Sequence, residues 1–374
     1  MMQSIPGMLR RKFLYGMALA PAGIATAQQG ASGARSQPVG LAPDQGGVVY
    51  WNADDLKKAH AALAAAAAKG ATTPGPRDLV ELPITRTHAF NFLCRYPNPS
   101  RPPRAEWHEG CSDVYFIVAG GANITIGGEL VDRQEVANEP GEYQGSAVKG
   151  GKSYRVKPGD VINIPPATAH LTEPDPGGLS YMLVKVNIGM YPWSMVATQQ
   201  NTTEPRVNVP LGPDQGGTVY WAVEELKKAH ATLAAAAAKG ESNPGPRDLL
   251  QLPITHTHAF NFLYRYQNPA RPSRAEYHEG NTDIYFIEAG GAEIQVGGEL
   301  VERVQVRNWP GEYQGSSIRG AKSYRVKPGD ILSIPPATAH LTEADPGGLS
   351  YMLVKVNVGM YPWSIVATQQ SAPR

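Results

Sequence analysis

The sequence is short of cysteine, of charge of one sign and of several familiar catalytic motifs. It has two cysteines in 374 residues, Cys94 and Cys111, so no disulfide framework holds the fold, although one bridge between the two stays open. Lysine and arginine (34) balance aspartate and glutamate (33), with a net charge of +1 and no basic stripe. This balance argues against nucleic acid or an anionic membrane surface as the main partner. The sequence also lacks a nucleophile elbow, a phosphate-binding glycine loop and zinc-finger spacing.

Glycine and proline are abundant, with 40 and 33 residues, and many Val, Ile and Tyr accompany them. This composition is typical of short strands joined by tight turns. A chain of 374 residues is too long for one small core and suits two domains of ordinary size. We therefore expect two domains that consist mostly of strands.

The N-terminus has the order of an export signal: a basic start, a short apolar run and a small-residue cleavage site. The residues concerned are Arg10 and Arg11, the apolar run 15–24, and Ala25 and Ala27. Paired arginines before Lys-Phe-Leu predict the twin-arginine export route, and an ordinary secretory signal is the alternative. The run is too short to span a bilayer. We expect residues 1–27 to be a signal peptide, residues 28–40 to be flexible, and the mature protein to be periplasmic or extracellular without a membrane span.

Residues 41–200 recur as residues 211–370 without a gap, and most positions are identical. A repeat of this length is a whole domain, and the polar stretch 201–210 is the predicted linker. Each copy begins with an Ala-rich helix, which in the first copy follows the candidate N-cap Asn52. About eight strand patterns follow without a helix between them, which predicts an all-β fold with a jelly-roll barrel in each copy. A polar, Gly-rich segment spans 133–151, and the stretch 140–145 within it is predicted to be a lid or an edge turn.

The residues able to carry chemistry lie in two short segments of each copy. Strand alternation puts Glu106 and His108 on one face, and Asp113 begins the next strand opposite them. His170 follows a Pro-Gly-Asp turn and a short apolar strand. The second copy repeats these positions as Glu276, His278, Asp283 and His340.

These segments resemble the two motifs of the cupin superfamily, His-x-His followed by an acid and a glycine, and Pro-x-Gly followed at a distance by Pro and His. His108 matches the second histidine of the first motif, Asp113 takes the place of its glutamate, and His170 matches the histidine of the second motif. Glu106 departs from the pattern, because it stands where the first histidine is expected. The resemblance implies a bicupin: two tandem cupin jelly-roll β-barrels, each with an Ala-rich N-terminal helix and one divalent metal.

Neutral imidazole and carboxylate groups together bind borderline and hard divalent ions. The predicted metal ligands are His108, Asp113 and His170 in the first copy and His278, Asp283 and His340 in the second. Glu106 and Glu276 are expected to be either a fourth ligand or the catalytic proton acceptor beside the metal. The carboxylate-rich donor set favours Mn or Fe, while Cu, Zn and Ni stay open.

Further residues are candidates to line a substrate pocket: His88, Tyr115, His256, His258 and Tyr285. The alternative for the tyrosines is packing inside the barrel, and the alternative for His88 and His258 is a partly exposed place on a strand. His256 has no counterpart in the first copy, where Arg86 stands.

The function expected from the resemblance is that of an exported, metal-dependent oxidoreductase. It would be a dioxygenase or an oxalate-decarboxylase-like enzyme acting on a small oxygen-rich molecule that chelates the metal. Two alternatives stay open: a cupin that binds or stores a metal or a sugar acid without turnover, and a copper-dependent cupin that cleaves polysaccharide oxidatively. The fold does not choose between them. Cupins of this kind often assemble further, so a homo-oligomer is compatible with the sequence.

Overall fold

The computed structural model consists mainly of β-strands, and it describes residues 47–69, 76–85, 87–98, 102–137, 139, 141–188, 217–240, 245–255, 257–268, 272–307 and 311–357. Outside the described residues lie the predicted signal peptide with Arg10, Arg11, Ala25 and Ala27, the stretch 28–40, the linker 201–210, and His256. Within the described residues, no helix has the length and the apolar character needed to cross a membrane.

The same order of elements occurs twice, in a first half up to residue 188 and a second half from residue 217. The first half contains β1 (Val49–Trp51), α1 (Ala53–Ala68), a 3₁₀ turn (Pro76–Asp78), β2 (His88–Arg95), β3 (Ala105–His108), β4 (Cys111–Ile126), β5 (Glu129–Val131), β6 (Gln134–Glu135), β7 (Glu142–Gly145), β8 (Ala147–Lys149), β9 (Lys152–Val156), β10 (Val161–Ile164) and β11 (His170–Asn187). The second half contains β12 (Val219–Trp221), α2 (Val223–Ala238), α3 (Pro246–Leu249), β13 (His258–Arg265), β14 (Ala275–His278), β15 (Asn281–Val296), β16 (Glu299–Val301), β17 (Val304–Gln305), β18 (Glu312–Gly315), β19 (Ser317–Arg319), β20 (Lys322–Val326), β21 (Ile331–Ile334) and β22 (His340–Asn357).

Two long, bent strands organise each half into two layers. In the first half β4 and β11 pair along most of their length, with register shifts beside Gly120. Before the bend β4 pairs with β10, and after it with β9, so the same strand serves both layers. Gly120 has a φ of 74°, and an added Cβ atom would lie 2.0 Å from the carbonyl oxygen of Gly178. The bend therefore requires glycine at this position.

The all-β class is confirmed, and the strand pairing among the described residues gives two sandwiches and closes no barrel. The segment 133–151 contributes β6, β7 and β8, and β7 occupies most of the stretch 140–145 predicted to be a lid or an edge turn. β7 pairs with β3, and β6 lies at the end of the strand order beside it. This segment therefore forms the sheet edge next to the strand that carries Glu106 and His108.

The first strand of each half pairs with the sheet of the other half. β1 pairs with β21, and β12 pairs with β10. The carboxylate of Asp160 stabilises the pairing of β12 with β10. It accepts hydrogen bonds from the backbone N–H of Val223 and from the hydroxyl of Tyr220, both at 2.8 Å. Asp330 makes the equivalent bonds for the first half. Each half therefore completes one layer of the other.

A shared hydrophobic core lies between the two halves. The apolar stripe of α1, with Leu56, Ala59 and Leu63, is buried in it. Phe116 of the first half stacks on Phe286 of the second, with 4.7 Å between ring centroids. Smaller clusters fill the interior of each sandwich. Burial of apolar surface is the dominant favourable contribution to folding. Because the two halves share one core, unfolding of either half would expose apolar residues of the other, and we expect the halves to unfold together.

One carboxyl group lies buried near this core without a partner. Glu288 stands where the first half has Val118, and it is 7% exposed. Its Oε1 atom has no hydrogen-bond partner among the described residues. Burial, together with the nearby carboxylate of Asp160, raises the pKa of Glu288 well above its ordinary value, against the smaller opposing effect of Lys227. The surroundings of Glu288 therefore favour its protonated, uncharged form.

We expect Glu288→Val to stabilise the protein by about 2 kcal/mol near neutral pH, because it replaces an unpaired polar group by the residue that the first half packs there. A free glutamate ionises near about pH 4.3, whereas the folded protein holds this proton to higher pH. The contribution of the protonated carboxyl to the free energy of unfolding is thus fully present below about pH 4.3, and it is lost as the pH rises above that value. The gain should grow between about pH 5 and about pH 8 in urea unfolding. Val118→Glu is the reverse control and should destabilise; a gain independent of pH would contradict a protonated Glu288.

Candidate metal centre

Three cross-strand pairs bring the polar residues of the first half together. The pairs are Glu106 with His170, His108 with Glu142, and Asp113 with Lys185. Since alternate residues of a strand share a face, Glu106 and His108 of β3 point into the same space. β11 supplies the partner on one side of β3, and β7 supplies the partner on the other. The centre is therefore fixed by sheet register, on rigid strands.

The imidazoles and carboxylates predicted from the sequence converge in both halves. His108 Nε2 lies 3.4 Å from Asp113 Oδ2, and His170 Nε2 lies 3.9 Å from that oxygen and 3.9 Å from Glu106 Oε2. In the second half the corresponding distances are 3.4, 3.8 and 3.8 Å. Donor atoms of Glu106, His108 and His170 all lie within 4.8 Å of one another. The same holds in the second half for Glu276, His278 and His340.

A second-motif histidine offers a free nitrogen to each centre. The Nδ1 atom of His170 lies 3.1 Å from the carbonyl oxygen of Thr168, to which it donates, so Nε2 keeps its lone pair. The Nε2 atoms of His170 and His340 are buried and have no hydrogen-bond partner among the described residues. Burial lowers the pKa of His170, and lowers that of His340 to about 4. Both rings are therefore neutral near pH 7, which is the form that binds metals.

These donors fit a divalent ion. Metal–ligand bonds of about 2.0–2.2 Å place neighbouring ligand atoms about 3–3.5 Å apart. The separations of 3.4–3.9 Å need only a small contraction to reach that spacing. Two imidazoles with one or two carboxylates suit Mn, Fe and other borderline ions. An ion bound here would also give the buried Nε2 of His170 the partner that it lacks.

Glu142 orients His108, and it was not among the predicted site residues. Its Oε2 atom accepts a hydrogen bond from His108 Nδ1 at 2.5 Å, and Glu312 makes the same contact with His278. A carboxylate on the far nitrogen fixes the ring and directs Nε2 toward the other donors. Burial and Lys185 oppose a charge on His108, but Glu142 and Asp113 outweigh them and raise its pKa. Because metal binding requires the neutral ring, an ion at this centre would compete with protonation of His108.

We expect Glu142→Gln to weaken metal binding at the first centre by about 10–100-fold and to leave the second centre unchanged, because the amide no longer fixes the imidazole of His108 as a carboxylate does. Competition with a chelator, followed by metal analysis, measures both affinities in one sample. Glu129→Gln changes an exposed carboxylate on the nearby β5 and serves as the control. Equal metal affinity in Glu142→Gln and the parent protein would contradict the orienting role.

Two cations accompany the carboxylates. Lys185 Nζ lies 3.2 Å from Asp113 Oδ1, and the corresponding distance in the second half is 2.7 Å. Burial works against the carboxylate of Asp113, but Lys185 outweighs it and lowers the pKa. Arg95 Nη2 lies 3.4 Å from Glu106 Oε1, and their side chains are 39% and 24% exposed, against 3% for His170. The centre is therefore open to solvent on the side of Arg95 and Glu106.

The tyrosines predicted to line the pocket lie directly behind a ligand histidine. Tyr115 is buried, stacks on Tyr181 with 4.3 Å between centroids, and presents its ring edge-on to His170 at 6.3 Å. Tyr285 has the same arrangement in the second half. These rings pack in the interior of each sandwich, beside the imidazole.

His88 and His258 lie among other neighbours. The Nδ1 atom of His88 is 3.2 Å from the hydroxyl of Thr85 and 3.0 Å from that of Thr87, and His258 repeats these contacts. Neither is partly exposed on its strand, since both are buried. Neither contributes a donor to the candidate ligand groups of the described chain. They are held within the sheet by their threonine neighbours.

Solved structures share the architecture of two sandwiches. Salicylate 1,2-dioxygenase from Pseudaminobacter salicylatoxidans superposes with a TM-score of 0.51 at 11% identity, covering 88% of either chain. A point mutant of this enzyme in complex with gentisate gives 0.50 at 12% identity, covering 88% of this chain and 85% of the mutant. An oxalate decarboxylase from Lactobacillus farciminis, in a formate complex, gives 0.31 at 13% identity, with coverages of 73% and 78%. The sequence matches no protein-family model and no curated protein. The likeness to the dioxygenase structures shows that the chain shares their fold of two β-sandwiches.

Proposed function

We propose that the protein is a metal-dependent oxidoreductase with one divalent ion in each half. In the first half Glu106, His108 and His170 hold the ion, with Asp113 beside them, and the second half uses the matching residues. The observation that carries the proposal is the buried, partnerless Nε2 atom of His170, and of His340, facing a second imidazole and carboxylate oxygens. Mn or Fe suits this donor set best.

The substrate class follows from the open side of the centre. Arg95 presents a partly exposed guanidinium there, and guanidinium groups pair with carboxylates and other anionic oxygens. Glu106 lies beside Arg95 and is placed to accept a proton from a hydroxyl group of the substrate. A bound Mn or Fe ion supplies a Lewis acid and a redox centre. We infer that the substrate is a small, oxygen-rich acid that chelates the ion. It would be oxidised or decarboxylated at the centre of the first half, of the second half, or of both.

The location proposed for this activity is the periplasm or the exterior. The support is the order of the N-terminal segment, with Arg10 and Arg11 before the apolar run and Ala25 and Ala27 after it. Export by the twin-arginine route would carry a folded protein, so the ion would be loaded in the cytoplasm. Sequencing the N-terminus of the mature protein tests this, and a start at residue 1 would contradict it.

Metal analysis of protein purified from its native compartment, with oxygen uptake and carbon dioxide release measured on a panel of small hydroxy and dicarboxylic acids, tests the function. Mn or Fe in both halves, with acid-dependent turnover, is the expected result. Metal without turnover would favour the binding or storage protein. Copper with release of oxidised sugars would favour the polysaccharide-cleaving enzyme. Protein that binds no divalent ion under any loading condition would contradict the proposal.

A further inference from the structure

One of the differences between the two centres adds a possible ligand atom. The first half has Cys111 where the second half has Asn281. Cys94 and Cys111 are both free thiols, and Cys111 is 2% exposed. Its Sγ atom lies 3.8 Å from Asp113 Oδ1, on the side of that carboxylate facing Lys185. A thiol thus stands in direct contact with the polar residues of one centre only.

The thiol belongs to a second set of converging donors. Donor atoms of Cys111, His108 and Glu142 all lie within 4.8 Å of one another. Glu142 is 6% exposed, and its Oε1 atom is buried without a hydrogen-bond partner among the described residues. In the second half, neither side-chain polar atom of Asn281 has a partner in the described chain, and an amide is a poor ligand for a soft ion. Only the first half therefore combines thiol, imidazole and carboxylate donors.

The charges of the first centre suit a thiolate ligand. Its carboxylates are Glu106, Asp113 and Glu142, and its cations are Arg95 and Lys185. With neutral histidines, this leaves an excess of one negative charge. A divalent ion would turn it into an excess of one positive charge. A thiolate ligand removes that excess, and a balanced charge lowers the cost of burying an ion.

We propose that the first half contains, besides the centre proposed above, a donor set for a thiophilic divalent ion of the Zn²⁺, Co²⁺ or Cd²⁺ class, formed by Cys111, His108 and Glu142. The inference rests on the proposed metal binding, because both sets use the imidazole of His108. Soft sulfur selects thiophilic ions, whereas oxygen-rich sets keep Mn and Fe. The first half can therefore also take a thiophilic ion, whereas the described residues of the second half offer only the oxygen-rich set.

Titration of the metal-free full chain with Co²⁺ tests this, because cobalt reports its ligands. Visible ligand-field bands count bound ions, and a thiolate-to-cobalt charge-transfer band in the near ultraviolet counts sulfur ligands. The parent protein should bind one ion per half and show the charge-transfer band of one thiolate. Cys111→Asn, which installs the residue of the second half, should abolish that band while the ligand-field bands of both ions remain. Asn281→Cys should double it.

Cys94→Tyr is the matched control, since the second half has Tyr264 at that position, and it should leave the charge-transfer band intact. A parent protein that binds cobalt without the band, or a band that survives in Cys111→Asn, would overturn the inference while the proposed function stands. Absence of bound cobalt in every variant would overturn the proposed function as well. Asn281→Cys keeps the test decisive if Cys111→Asn fails to fold, because it adds a thiol without removing one.

Discussion

The double variant His170→Ala/His340→Ala is expected to keep its fold and to lose the Mn or Fe ion of both centres. Each substitution removes a histidine whose Nε2 atom has no hydrogen-bond partner among the described residues, so no hydrogen bond of that atom is lost. Loss of groups that only orient ligands lowers metal affinity by about 10–100-fold, so loss of a ligand itself should exceed about 100-fold. Each single variant should lose one ion. Metal analysis after dialysis against a weak chelator measures the loss.

Two further measurements make this result specific. Circular dichroism should show the parent's strand content in the double variant, because the strands pair through their backbones. His88→Ala is the control, since His88 is buried among Thr85 and Thr87 and contributes no donor to the ligand groups found in the described chain. It should lose stability and keep both ions. A double variant that still binds two ions, or His88→Ala protein that lacks one, would contradict the assigned ligands.

The convergence of the predicted ligands follows from local sequence. Strand parity alone places Glu106 and His108 on one face, and a tight turn returns Asp113 to them. The Pro-Gly-Asp turn before β10 similarly fixes where His170 enters β11. These relations span few residues, so a single sequence contains them. The prediction that His170 lies close to Glu106, His108 and Asp113 rests on the resemblance to the cupin motifs, because these residues are far apart in the sequence.

Glu142 and Lys185 escaped prediction because their roles depend on register between distant strands. Glu142 lies opposite His108 only because β7 pairs with β3, and that pairing brings together residues 34 positions apart. Lys185 similarly reaches Asp113 through the pairing of β11 with β4. Both residues recur in the second copy, but so do most of their neighbours. Repetition therefore gave no signal that would single them out.

The exchange of first strands could not be predicted for a different reason. β10 (Val-Ile-Asn-Ile) and β21 (Ile-Leu-Ser-Ile) have the same pattern of apolar residues, so β1 has two similar candidate partners. Pairing of β1 with β21 is decided by the path of the chain and by the core that both halves share. The bend at Gly120 was similarly hidden, because a Gly-Gly pair predicts a turn between strands and here bends one continuous strand.

Because Asp160 stabilises the exchanged strand β12, its substitution is expected to have a large effect on the free energy of unfolding. Its buried carboxylate accepts hydrogen bonds from Lys157 N at 2.9 Å, Tyr220 Oη at 2.8 Å and Val223 N at 2.8 Å. We expect Asp160→Ala to lower the free energy of unfolding by about 4 kcal/mol, because it removes the acceptor for the start of α2 and leaves buried donors without partners. Asp160→Asn keeps one acceptor oxygen and should cost about half as much. Urea unfolding followed by tryptophan fluorescence measures both.

The form of the transition is as informative as its position. Asp160 belongs to the first half, but two of its three donors belong to the second, and the core between the halves is shared. Asp160→Ala should therefore shift one cooperative transition of the whole chain, since neither half retains a complete sheet without the other. Asp175→Ala, which removes an exposed partner of Arg155, should leave the free energy of unfolding nearly unchanged. Two separate transitions, with only one moved by Asp160→Ala, would mean that the exchanged strands do not couple the halves.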